Sequence, residues 1–73
     1  MTQLPSVSGM KVRRVFEKNG WVFKRQKGSH MILTRTGFRA TLSVPNHKSL
    51  KEPLLKRLIK DSGMTVEQFK EML

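Results

Sequence analysis

An α+β fold with the element order α-β-β-β-α-α is predicted, a three-stranded antiparallel sheet with helices packed on one face. Three observations predict it. Apolar residues recur at helical spacing near both ends of the chain. Between them lie short runs rich in β-branched and aromatic residues, one of which alternates strictly. Glycine and proline punctuate the joins. Seventy-three residues make one domain, 1–73, with a modest core, so two thin layers are expected rather than three. Any site should be a surface groove rather than a deep cavity.

The first helix is "PSVSGMKVRRVFEKNGW". Ser6 or Ser8 can cap its start. Val12, Val15 and Phe16 fall at i, i+3 and i+4 and share one face, with Lys11, Arg14 and Lys18 on the flanks and outer face. Gly20 supplies the left-handed residue that ends it, and Trp21 can pack back on the last turn. "WVFKRQK" is the first strand, Gly28-Ser29 interrupts it, and "HMILTR" is the second. Thr36-Gly37 makes a short turn. "FRATLSVP" is the clearest strand, with Phe38, Ala40, Leu42 and Val44 on one side and Arg39, Thr41 and Ser43 on the other. Pro45 ends it.

"NHKSLKEP" is a loop, and "EPLLKRLIKDSG" the second helix. Pro53 suits its first turn, where a missing N–H has no partner to lose. Leu54, Leu55, Leu58 and Ile59 form its apolar stripe, and Gly63 stops it. Thr65 and Gln68 stand at capping-box spacing at the start of "TVEQFKEML". Val66, Phe69, Met72 and Leu73 should face inward from that short last helix.

Charge points to a partner. Fifteen Lys and Arg stand against five Asp and Glu, a net +10. Residues 1–50 hold ten of the cations and one acid, Glu17, so +9 of the excess lies there. Nucleic acid is the first polyanion this suggests, and an acidic protein the second. Without cysteine, neither a disulfide nor a thiolate metal site can brace the fold, which fits a reducing cytoplasm. No apolar run approaches the roughly 20 residues that span a bilayer. No segment is a basic helix with a broad aromatic face suited to a membrane surface. "MTQLPSVSGM" lacks the basic start and apolar stretch of a secretory signal.

His30 opens the second strand. Along that strand His30, Ile32 and Thr34 share one face and Met31, Leu33 and Arg35 the other. If Met31 and Leu33 join the Phe38/Leu42/Val44 layer, His30 lies on the open face near Lys24 and Lys27. In the other register Ile32 is core and His30 is buried at the sheet edge. An exposed imidazole among cations could cut RNA, a reaction that removes a proton from the 2′-hydroxyl and gives one to the leaving 5′-oxygen. Lys24, Arg25 and Lys27 would supply fixed positive charge, Gly28 close backbone approach to a phosphate, and Ser29 a hydrogen bond. An ordinary surface or half-buried histidine is the alternative. His47, beside Lys48, could assist phosphate binding or be a loop residue bonding a helix N-terminus. No cysteine or clustered acids accompany the two histidines, so no metal site is expected. Trp21 and Phe23 could stack on bases or fill the core.

These residues resemble the HicA family of toxin ribonucleases, small partners of HicB antitoxins. The likeness runs through almost the whole chain. It starts in "LPSVSGMKVRRVFEKNGW", continues through "RQKGSHMIL", similar to the family's "RQ.GSH.I", and closes in "VPNHKSLKEPLLKRLIKDSGMTVEQF". Pro53 and Leu54 stand where the family usually shows Gly-Thr, at a helix start and away from the histidine. The resemblance implies a double-stranded-RNA-binding-like fold and His30 as the catalytic residue. It further implies mRNA as substrate, cut without the ribosome, and a HicB-like antitoxin that covers the active site. The enzyme so implied is a metal-independent endoribonuclease, with Lys24, Arg25, Lys27 and Arg39 holding the RNA backbone and Gly28 and Ser29 shaping the phosphate site. The alternative is a non-catalytic RNA-binding module of the same fold. A helix-turn-helix DNA binder is the third possibility, disfavoured by Glu67 and Glu71 on the last helix.

Overall fold

A computed structural model describes residues 4–73; the first three residues of the expected domain lie outside it. The elements are α1 (Gly9–Lys18), β1 (Val22–Lys27), β2 (His30–Thr34), β3 (Leu42–Pro45), α2 (Glu52–Asp61) and α3 (Val66–Glu71). This is the predicted α+β order. The three strands form an antiparallel sheet in the order β1-β2-β3, consistent with a double-stranded-RNA-binding-like arrangement.

Both long helices end for the same reason. Past Asn19, Gly20 takes φ 96°, which lets its N–H reach the Glu17 carbonyl and the Trp21 N–H the Phe16 carbonyl. Past Ser62, Gly63 takes φ 83°, and the Gly63 and Met64 N–H groups reach the Lys60 and Ile59 carbonyls. Each pair of bonds satisfies helix-end carbonyls that would otherwise be orphaned, and only glycine enters that conformation without a Cβ penalty. At the other end of α1, the Ser8 hydroxyl accepts from the Lys11 N–H. Thr65 and Gln68 cap α3 reciprocally. Replacing Thr65 by Ala removes one half of that cap and should cost about 1 kcal/mol. In a domain of this size that lowers Tm by roughly 4–8 °C. A melt followed by circular dichroism checks it, and an unchanged Tm would mean that α3 is held by packing alone.

The core lies between the sheet and the helices. Met31, Leu33, Leu42 and Val44 project from one sheet face and are fully buried. They meet Val12, Val15 and Phe16 of α1, Leu55 and Ile59 of α2 and Phe69 of α3. The Phe16 and Phe69 rings are 5.8 Å apart and tilted by 55°, a favourable aromatic geometry. Val7, Leu50 and Met64, which periodicity did not single out, complete the layer.

Five expectations need correction. The third strand starts at Leu42, not Phe38. Arg35–Phe38 is a turn closed by the Phe38 N–H on the Arg35 carbonyl, and β2 ends at Thr34, leaving residues 38–41 no strand to pair with. Phe38 therefore leaves the sheet layer and lies 38 % exposed against Trp21, ring centroids 5.2 Å apart. Ala40 is exposed in the same loop. Leu54 sits on the rim of the α2 stripe, 37 % exposed, and Leu73 lies past the end of α3, 46 % exposed.

Candidate functional site

A two-residue loop, Gly28-Ser29, joins β1 to β2, and Lys27 pairs with His30 across it. Gly28 has φ 60° and no described non-glycine residue has positive φ, the pattern of a II′ hairpin turn with glycine first. A Cβ on Gly28 would meet nothing within 4 Å. The turn conformation, rather than crowding, thus calls for glycine, and the space above it is open.

Cross-strand pairing fixes the faces. Met31 pairs with Val44 and Leu33 with Leu42, all four buried, so their neighbours His30 and Ile32 project from the opposite, open face. His30 is exposed. Its ring makes no hydrogen bond or ion pair to any described residue. Lys27 stands directly opposite on the same face, with Cβ atoms about 5 Å apart by strand geometry.

The register slips between Phe23 and Arg25, leaving Lys24 unpaired in a β-bulge. Simple alternation from core-facing Phe23 would turn Arg25 and Lys27 toward the core side and Gln26 outward. The bulge resets the phase. Arg25 comes opposite Ile32, and Lys27 opposite His30, so both join the histidine's face, and Lys24 shares the bulge opposite Ile32. No described carboxylate lies within 4 Å of any of these cations. The hairpin therefore carries three uncompensated positive charges beside one imidazole.

Ser29 donates nothing to the fold. Its carbonyl accepts from the Asn46 N–H at 2.7 Å, while its hydroxyl makes no hydrogen bond to a described residue. Arg39 stands apart. It lies in the loop between β2 and β3, at the far end of the sheet from His30, on the order of 13 Å away by the rise of β2. The structure thus gathers His30 with Lys24, Arg25, Lys27, Gly28 and Ser29 and leaves Arg39 out. His47 is exposed in the loop after β3, where its carbonyl accepts from the Gly9 N–H at 2.9 Å. Trp21 is core, 2 % exposed, and one face of the half-buried Phe23 ring lies under the Arg13 guanidinium at 3.9 Å.

Sequence reasoning missed the bulge. Its signal is the pair of consecutive cations, Lys24-Arg25, after core-facing Phe23: neither side chain suits the apolar face, so the strand must break phase there. Among the described residues no three His, Cys, Asp or Glu side chains are grouped to hold a metal ion. No described helix is long and apolar enough to cross a membrane. The family described as "HicA toxin of bacterial toxin-antitoxin" matches residues 9–64, which contain the whole sheet and the hairpin. No curated protein gives a match.

Proposed function

The chain belongs to the HicA toxin family of bacterial toxin–antitoxin systems, and from that premise we propose that it is a metal-independent endoribonuclease that cuts mRNA in the cytoplasm. His30 is the general acid or base. It takes the proton from the ribose 2′-hydroxyl as that oxygen attacks phosphorus, or returns one to the departing 5′-oxygen, or does both in sequence. Lys24, Arg25 and Lys27 hold the backbone and offset the charge that builds on the phosphoryl oxygens. The Ser29 hydroxyl donates to that phosphate above the open surface of Gly28. Arg39, at the other end of the sheet, contacts RNA only beyond the reacting nucleotides. A HicB-like antitoxin of acidic character covers the hairpin, drawn by the +9 half of the chain.

The observation that supports this best is the shared face: one imidazole, without a partner among the described residues, beside three cations with no described carboxylate within 4 Å. The test is incubation of purified protein with labelled single-stranded RNA in EDTA. Fragments ending in a 2′,3′-cyclic phosphate and starting with a 5′-hydroxyl are expected. Intact RNA at high protein concentration would favour the binding-module alternative.

The backbone contacts have their own readout. In the His30→Ala background, which keeps RNA whole, log K against log salt should be steep, with about 0.7 of slope per phosphate contacted. Replacing Lys24, Arg25 and Lys27 together by Ala should flatten that slope by about 2. An unchanged slope would remove the hairpin from the RNA path.

A further inference from the structure

We propose that the groove between β3 and α2 is a nucleobase subsite and that Asp61 makes it select guanine. The inference deepens the ribonuclease proposal and rests on it for the orientation of the RNA.

The groove is lined by Thr41, Ser43, Leu54, Arg57, Leu58 and Asp61. Its position follows from the register. His30 pairs with Pro45, and Ser43, two residues back along β3, pairs with Ile32. Ser43 therefore projects from the histidine's face on the diagonal, with Cα atoms about 7–8 Å apart. An RNA strand with its scissile phosphate at His30 and its 5′ or 3′ neighbour running toward α2 meets this groove next.

The lining suits a base better than a phosphate. Leu54 is 37 % exposed on a helix whose other large apolar residues are buried, and offers an apolar wall to a ring face. Asp61 places a carboxylate in a chain of net +10. That charge repels phosphate, and its two oxygens only accept hydrogen bonds. Guanine alone among the RNA bases presents two adjacent donors, N1–H and N2–H, to such a group; the other three offer an acceptor beside any donor. Arg57 lies one turn before Asp61 on the same groove, yet the two do not pair within 4 Å, the ion pairs of the described residues being elsewhere. Both are thus available, Asp61 to the base edge and Arg57 to stack on the ring or meet the adjoining phosphate. The Ser43 and Thr41 hydroxyls can complete the edge contacts.

The test has two arms. Cleavage sites are mapped on a random-sequence RNA pool with the intact protein and with Asp61→Asn. Cuts enriched beside guanine are expected, and the enrichment should fall about tenfold in the variant, the scale of one bidentate contact. The second arm needs no cleavage: guanosine 5′-monophosphate is titrated into the 15N-labelled protein, with the adenosine, cytidine and uridine monophosphates as comparisons. Amide shifts at Ser43, Leu54 and Arg57 are expected with guanosine above the others, and weaker in Leu54→Ala. Guanosine-selective shifts without RNA cleavage would keep the subsite and overturn the nuclease. Cleavage with no guanine enrichment and no selective shifts would overturn the subsite and keep the nuclease. Unchanged preference in a folded Asp61→Asn protein would overturn the role given to the carboxylate.

Discussion

His30→Ala is expected to slow RNA cleavage by about 10²–10⁴-fold, the usual contribution of a positioned general acid or base. The fold should survive. The ring is exposed and bonds to no described residue, and the ladder pairings to Lys27 and Pro45 use backbone that alanine also supplies. Surface substitutions of this kind cost within about 0.5 kcal/mol, so the urea midpoint should barely move. RNA affinity should be largely retained, because charge near the site comes from Lys24, Arg25 and Lys27. His30→Lys separates the two things an imidazole could provide. Lysine keeps a positive charge at the site but does not shuttle protons readily near neutrality, so it should be as inactive as alanine while binding RNA at least as tightly. If either variant cuts RNA at the parent rate, His30 is not the proton carrier and the shared face is a binding surface only.

Helix ends and caps are local: Gly20, Gly63 and the Thr65/Gln68 pair act within a turn or two, so their sequence spacing suffices. For His30 the sequence leaves two registers open, and the pairing of buried Met31 and Leu33 with Val44 and Leu42 decides between them. What depended on pairing between strands was not legible. Phe38, Ala40, Leu42 and Val44 alternate well enough to be a strand, but β2 has only five residues. The alternation runs on where no neighbour remains to pair. Arg39, expected to help hold the RNA backbone, lies in the loop between β2 and β3, at the other end of the sheet from His30. The bulge at Lys24 is likewise a property of the β1–β2 register, visible in sequence only as two cations where one should point inward.

Gly9 shows the same limit most sharply, and it carries the second large effect. Glycine within a helix ordinarily costs up to about 1 kcal/mol relative to alanine, so Gly9→Ala should by propensity alone stabilise α1. Its surroundings reverse the sign. A Cβ at Gly9 would sit 1.9 Å from the Pro45 carbonyl oxygen and 2.9 Å from its carbon. Both contacts are backbone and cannot rotate away. The Gly9 N–H also donates to the His47 carbonyl at 2.9 Å, fastening the start of α1 to the chain leaving β3. Relieving the clash means lifting α1 off that segment, which breaks this bond and opens the layer holding Val12 and Val44. The net loss should be about 3 kcal/mol or more, at or above the upper end for overpacking. Against a total of roughly 5–15 kcal/mol for a native domain, that is a large fraction. Gly28→Ala is the matched comparison. It meets no atom within 4 Å but must hold φ 60°, a strain of about 1–2 kcal/mol. Urea unfolding of the two variants should therefore rank Gly9→Ala well below Gly28→Ala. Pro45 pairs with His30, so lifting α1 also loosens the strand beside the imidazole. Gly9→Ala should then lose cleavage along with stability, although Gly9 is buried. A Gly9→Ala protein as stable as its parent would mean that α1 does not dock on Pro45 in solution.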